Sequence, residues 1–305
     1  MPDLDDAILQ TVLYGDVFNF PMTPREIHHF LIDDAPCSLN DVEDTLRTSP
    51  LLAEVLVQAG GYVALKDRVE LMVLRAQREA ASAQMMGTAR RYGRWLSRLP
   101  FVRMVAITGA LSMRNAADTH DDLDYVLVTA RGRVWLARAF AIVIVRLGKV
   151  RGAVVCPNYV LAETALAQSR RDLYIAHEIA QMTPLYGFAI YEQMRALNGW
   201  ACHYLPNARV PFYSQAEGRT GALFGAFKRA AEWLLGGRTG DALERWESAR
   251  KVRRFQAQMA EAQHDAQLDS EHVKGHFRDH GQRVLHQYAL RLQEYERTQL
   301  PLAGD

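Results

Sequence analysis

The sequence predicts an α+β fold: a mixed β-sheet core with helices, preceded by a small helical unit that ends in a hairpin and followed by a helical C-terminal unit. Three observations carry this. Residues 102–129 hold two short apolar runs, 102–108 and 125–128, divided by a glycine turn and the triplet Asp122-Leu123-Asp124. Residues 5–65 combine helix-capping signals with a Gly60-Gly61 turn between two short apolar runs. Beyond residue 221 the apolar residues recur only at helical spacing.

The N-terminal unit spans residues 1–66. Ile8, Val12 and Leu13 lie at helical spacing in 5–14, and a turn follows at 18–21. Thr23-Pro24-Arg25-Glu26 is a capping box, with Thr23 as N-cap, Pro24 in the first helical position and Glu26 three residues on, so a second helix runs to about Leu31. Ser38 or Asn40 caps a third helix through Leu46, and strands at 52–58 and 62–65 flank Gly60-Gly61. Three helices and a two-stranded wing resemble a winged helix-turn-helix domain. The usual role of such a domain is DNA binding, yet its third helix carries Asp41, Glu43 and Asp44 against Arg47 alone, a face that phosphates repel.

Residues 67–100 form a connecting helix or helices, with Val69, Met72, Val73, Ala76, Met86, Ala89, Tyr92 and Leu96 on one stripe. The core at 101–205 alternates: strand 102–108, a short helix near 111–117, strand 122–128, helix 132–147, strand 153–161, and helix 170–182 closed by Pro184. Its His177 reads as a hydrogen-bonded, half-buried histidine. Residues 206–221, with Pro206, Pro211, Gly218 and Gly221, are a linker. In 222–305, residues 223–235 are strongly apolar, and Leu243, Trp246, Ala249, Val252, Phe255, Met259 and Ala262 continue a stripe, as do Val284, Leu285, Tyr288, Leu292 and Tyr295. His276 and His280, four apart without the zinc-protease glutamate, read as a polar patch.

The 305 residues are 49% hydrophobic and 23% charged with net charge +1, which supplies no overall field for nucleic acid or an anionic membrane. Three scattered cysteines, Cys37, Cys156 and Cys202, have neither zinc-site spacing nor an even count for a disulfide framework. The acidic start lacks a charged-then-apolar leader, and the most apolar run, 134–145, is too short to span a bilayer. A cytoplasmic protein with no membrane partner is the expectation.

Side chains alternate along a strand, so Asp122 and Asp124 share a face and Leu123 and Tyr125 take the other. Paired carboxylates repel, and a hard divalent cation relieves them while keeping positions open for phosphates. Gly109 lets the backbone approach a ligand, and a helix starting just after it points free N–H groups at a phosphate, with Ser112 and Arg114 in its first turn adding a hydroxyl and a charge.

Residues 109–114 followed by Asp121-Asp122-Leu123-Asp124-Tyr125 resemble the core signature of the DNA polymerase β-type nucleotidyltransferase superfamily, in its minimal-domain form. The strong likeness covers under thirty residues; a weaker one continues to about Glu163. It implies Mg²⁺ (or Mn²⁺) held by Asp122 and Asp124, a nucleoside triphosphate cradled by Gly109, Ala110, Ser112 and Arg114, and transfer of a nucleoside monophosphate to an acceptor the sequence does not name. Two departures stand out. Ala110 replaces the usual Gly or Ser. The third carboxylate of the family has two candidates here, Asn158, which brings no charge, and Glu163, just past the strand. Three further classes follow: a catalytically impaired nucleotide-binding scaffold or sensor, a winged-helix transcription regulator, and the toxin-antitoxin or self-AMPylating type found among minimal nucleotidyltransferases.

Overall fold

A computed structural model describes residues 4–259, 268–274 and 280–299. The chain opens with helices α1 (Leu4–Asp16), α2 (Pro24–His29), α3 (Leu39–Thr48) and α4 (Pro50–Val55), then the antiparallel hairpin β1 (Leu56–Ala59) and β2 (Tyr62–Leu65). Local chemistry accounts for these boundaries. Thr23 and Glu26 form the reciprocal capping box, and Ser38 caps α3 with Asp41 answering. Gly60 and Gly61 take φ of +59° and +84°, which lets the hairpin turn in two residues. The expected strand at 52–58 starts later: Ser49 caps a helix with Pro50 in its first turn, so 50–55 are helical first. An isolated bridge from Met22 to Val63 ties the loop before α2 onto the hairpin.

One helix, α5 (Leu71–Ser97), joins this unit to the rest. Its Arg75 is 1% exposed and pairs at 2.9 Å with Glu26, equally buried, while stacking over Phe20. Glu26 also takes an O–H from Tyr213 at 3.0 Å. This buried ion pair fixes the N-terminal unit against the core.

The core follows as β3 (Val102–Ile107), α6 (Gly109–Ser112), β4 (Leu123–Thr129), α7 (Val134–Val150), β5 (Val155–Ala162), α8 (Leu173–Gln181), β6 (Thr183–Tyr186) and α9 (Phe188–Leu197). After the segment 206–221 come α10 (Ala222–Leu235), α11 (Arg238–Met259), β7 (His272–Lys274) and α12 (His280–Gln299). The five-stranded sheet runs β6-β3-β4-β5-β7; β4 and β5 are parallel and every other pair is antiparallel. Alternation divides it. Val105, Ile107, Tyr125 and Leu127 pack under α5 and α7 with Tyr92 and Trp135, whereas Met104, Ala106, Val126 and Val128 face α8, α9 and the N-terminal unit.

Three expectations need correction. The helix near 111–117 is a single turn that ends at Ser112. Strand β6 was not expected. Nor is 222–305 an all-helical unit, because β7 is an edge strand of the core sheet and α12 packs against α1 and α8. Among the described residues no helix is long and apolar enough to cross a membrane.

Candidate functional site

Strand β3 ends at Ile107, Thr108 follows as the N-cap of α6, and Gly109 turns the chain into that helix with φ of +64°. A Cβ on Gly109 would stand 2.6 Å from Asp124 Oδ2, so only glycine lets that carboxylate lie on the turn. Asp124 is the second residue of β4 and faces the α8 side, and its backbone carbonyl accepts the Thr108 N–H at 3.1 Å. Burial pushes its carboxyl up to about 6, the nearby charges of Asp122 and Asp121 push the same way, and a hydrogen bond with Cys156 opposes them. Cys156 is its neighbour on β5, with a thiol raised to about 12 by burial and by that carboxylate, which keeps it protonated.

Register carries Asn158 to the same place. Tyr125 pairs with Pro157 and Val126 with Tyr159, which leaves Asn158 as the extra residue of a bulge. Bulges re-aim side chains, and Asn158 lines a cavity of about 720 Å³ together with Thr108, Gly109, Ala110 and Asp124. The N-terminal unit supplies the apolar wall, with Phe18, Phe20, Met22 and Phe30. The C-terminal segment supplies Lys274, His280 and Arg283.

A second carboxylate enters this cavity from α8. Glu178 accepts a hydrogen bond from Thr108 Oγ1 at 3.4 Å and another from Gln181 at 2.5 Å. Burial raises it to about 7; Lys274 counters, and the charge of Asp124 adds to the rise. The preceding His177 is buried, stacked on Tyr14 at 4.0 Å, and lowered to about 3 by burial, so it is neutral. Among the described residues its Nε2 has no hydrogen-bond partner, unlike the bonded histidine expected.

The predicted site residues therefore separate. Gly109, Ala110, Asp124 and Asn158 meet at one cavity. Asp122 sits just before β4, exposed, close enough for its charge to raise Asp124 but outside the cavity lining. Ser112 is buried and donates its hydroxyl to the Gly109 carbonyl at 2.7 Å, which spends it within its own turn. Arg114, with φ of +57°, lies over the Tyr213 ring at 4.7 Å and does not line the cavity. Glu163 accepts the Arg131 N–H at 3.3 Å beyond the far end of β5, next to Thr129. Asp124 and Thr129 are five residues apart, roughly 16 Å of strand, so Glu163 does not join the site.

Among the described residues no group of three or more His, Cys, Asp or Glu side chains is placed to hold a metal. The His276–His280 pair lies partly outside them, since His276 is not described. Mg²⁺ asks for less than such a group: it binds through one or two carboxylates and completes its shell with water and substrate phosphates. Asp124 and Asp122, both raised by burial and by like charge, gain from a nearby cation, and Asn158 offers a carbonyl. On α3 the exposed Asp41, Glu43 and Asp44 leave an acidic outer face.

Comparison with protein-family models, with curated proteins and with solved structures finds no match to this chain.

Proposed function

We propose that this chain is a Mg²⁺-dependent nucleotidyltransferase on a polymerase β-like core, with a winged-helix-like N-terminal unit, moving a nucleoside monophosphate from a nucleoside triphosphate to an acceptor hydroxyl. The observation that supports it most is the carboxylate of Asp124 lying on the Gly109 turn at the wall of the large cavity. Asp124 would hold the metal, with Asn158 lining the same cavity and Asp122, outside the lining, near enough to add its charge. Bound there, Mg²⁺ supplies charge neutralisation for the triphosphate and its leaving pyrophosphate. Gly109 and Ala110 bring backbone close to the phosphates, and Lys274 and Arg283 line the same cavity with positive charge. Glu178 is the residue suited to take the acceptor proton: its carboxyl titrates near neutrality, where a general base is most effective. The aromatic wall of Phe18, Phe20 and Phe30 suits a flat ring from nucleobase or acceptor.

A second reading is a nucleotide-binding scaffold with weak or no transfer, favoured by the neutral Asn158. The acidic face of α3 weighs against a DNA-binding regulator. The deciding experiment incubates labelled nucleoside triphosphates with Mg²⁺ and cell lysate. Wild type is expected to label an acceptor, and Asp124→Asn to lower the rate on the order of a thousandfold, because several kcal/mol of charge stabilisation go. Equal labelling by both proteins removes the mechanism. Mg²⁺-dependent nucleotide binding without pyrophosphate release selects the scaffold.

A further inference from the structure

Helices α10 and α11 are built inside out. Leu235 and Val252 pack partly buried against the core, but most inward contacts of the two helices are polar. Glu232 accepts N–H groups from Phe101 at 2.6 Å and Arg103 at 2.7 Å, and Lys228 donates to the carbonyls of Ser97, at 2.9 Å, and Val102. Glu244 accepts the Trp135 and Leu136 N–H groups at 2.8 Å each and so caps α7. Glu247 is buried and bonded to Arg250. Their outward side is apolar. Leu223, Phe227, Trp233, Leu234, Leu243 and Trp246 are between 39% and 84% exposed, and no residue of α10 is buried. Leu223, Phe227, Ala230 and Leu234 follow one another at four, three and four, a single stripe. Scattered exposed apolar residues need no explanation, but six large ones on one helical pair do.

Charge indicates what covers this stripe. Residues 218–253 contain eight Lys and Arg against four Asp and Glu. All four acids are already engaged, Asp241 by Arg133 at 2.7 Å and the others as above. Arg219, Arg229, Arg238 and Arg245 are exposed around the apolar residues. A second cavity, about 580 Å³ and lined by Arg103, Arg219, Lys228 and Arg229, opens at the first turns of α10. An apolar stripe carrying tryptophan and bordered by uncompensated arginines is the composition of a helix that lies in a membrane interface.

We propose that the α10–α11 pair is a docking surface for an anionic lipid bilayer. It lies flat on the bilayer without crossing it, with Leu223, Phe227, Trp233 and Leu234 at the acyl boundary and the arginines among headgroup phosphates. This does not depend on the nucleotidyltransferase reading.

The test sediments the full chain with phosphatidylcholine vesicles and with vesicles of equal parts phosphatidylcholine and phosphatidylglycerol, and measures its mass in solution by light scattering. Wild type is expected to bind the anionic vesicles and not the neutral ones. Phe227→Ser with Trp233→Ser is expected to weaken binding more than about tenfold. Arg219→Gln, Arg229→Gln and Arg238→Gln together are expected to weaken it roughly a hundredfold. All the changed side chains are exposed, and an unshifted melting temperature confirms that the variants fold. Failure to bind anionic vesicles overturns the proposal, as does binding that neither variant alters. A stable dimer that the Phe227→Ser, Trp233→Ser variant splits, without vesicle binding, gives the surface to a second copy instead.

Discussion

Helices α8 and α10 carry similar apolar content at similar spacing and face opposite ways. In α8, Leu173, Ile175, Ala176, Ile179 and Ala180 are all buried; in α10 nothing is. The charged residues explain the difference. The single acid of α8, Glu178, finds Thr108 just after β3 and sits at a cavity, so burying the rest of the helix strands no charge. In α10, Lys228 and Glu232 both find partners around residues 97–103, and those bonds turn the polar face inward and Leu223, Phe227 and Leu234 outward. Periodicity fixes a helix and its stripe; the partners available to the opposite face decide which way the stripe points.

The comparison breaks most visibly at the deepest inward charge. Glu26→Ala would leave Arg75, 1% exposed, without its closest carboxylate. Arg75 would keep the half-exposed Glu79 at 3.3 Å and the Arg114 carbonyl at 3.2 Å, so denaturant melts should show a loss of about 3 kcal/mol, the low end for breaking a buried pair. A loss below about 1 kcal/mol would mean that inward charges matter as little in α5 as surface pairs do elsewhere.

The same contrast separates what could be read from sequence. Capping at Thr23 and Ser38, the Gly60-Gly61 hairpin and the approach of Gly109 to Asp124 depend on residues close in the chain or on a strand and its neighbour, and each was legible. What was not legible depends on long-range placement. The parallel pairing of β4 with β5 sets Cys156, near the start of β5, beside Asp124 and sends Glu163 to the opposite end. The Ser112 hydroxyl reads as a phosphate contact, but a one-turn helix lets that hydroxyl reach back to the Gly109 carbonyl. Glu178 had a signal, a lone acid within LYIAHEIAQ, that only the position of Thr108 turns into a site residue. Strand β7 has three residues, too few for any period to show.

A smaller effect sharpens the role of α8. Burial lifts the Glu178 carboxyl from 4.5 to about 7. Its folded value exceeds its unfolded one, so the stabilising contribution is complete below about pH 4.5 and is lost as pH rises through about 7. Glu178→Gln removes that dependence. The variant should be the more stable protein at pH 8, on the order of 2 kcal/mol, with the gap closing toward pH 4.5. Asp124, raised from 3.8 to about 6, adds slope of the same sign in a lower window. Chemical denaturation across pH measures the difference. A gap that widens on acidification would place an ionised, stabilised carboxylate at Glu178 and end its candidacy as a neutral-range base.

The smallest effect is the most direct on the comparison. Phe227 and Ile179 are both large apolar residues on apolar helices, the first 69% exposed and the second 4%. Ile179→Ala opens space in a packed wall and should cost about 2–5 kcal/mol. Phe227→Ser exchanges one solvent-facing side chain for another and should stay within about 0.5 kcal/mol. Paired melts of the two variants in dilute solution read this directly. A large loss for Phe227→Ser at all concentrations would mean that the ring is covered within the single chain, so the outward orientation of α10 would fail. A loss that grows with protein concentration would instead mean that a second copy covers it, because only association makes stability depend on concentration.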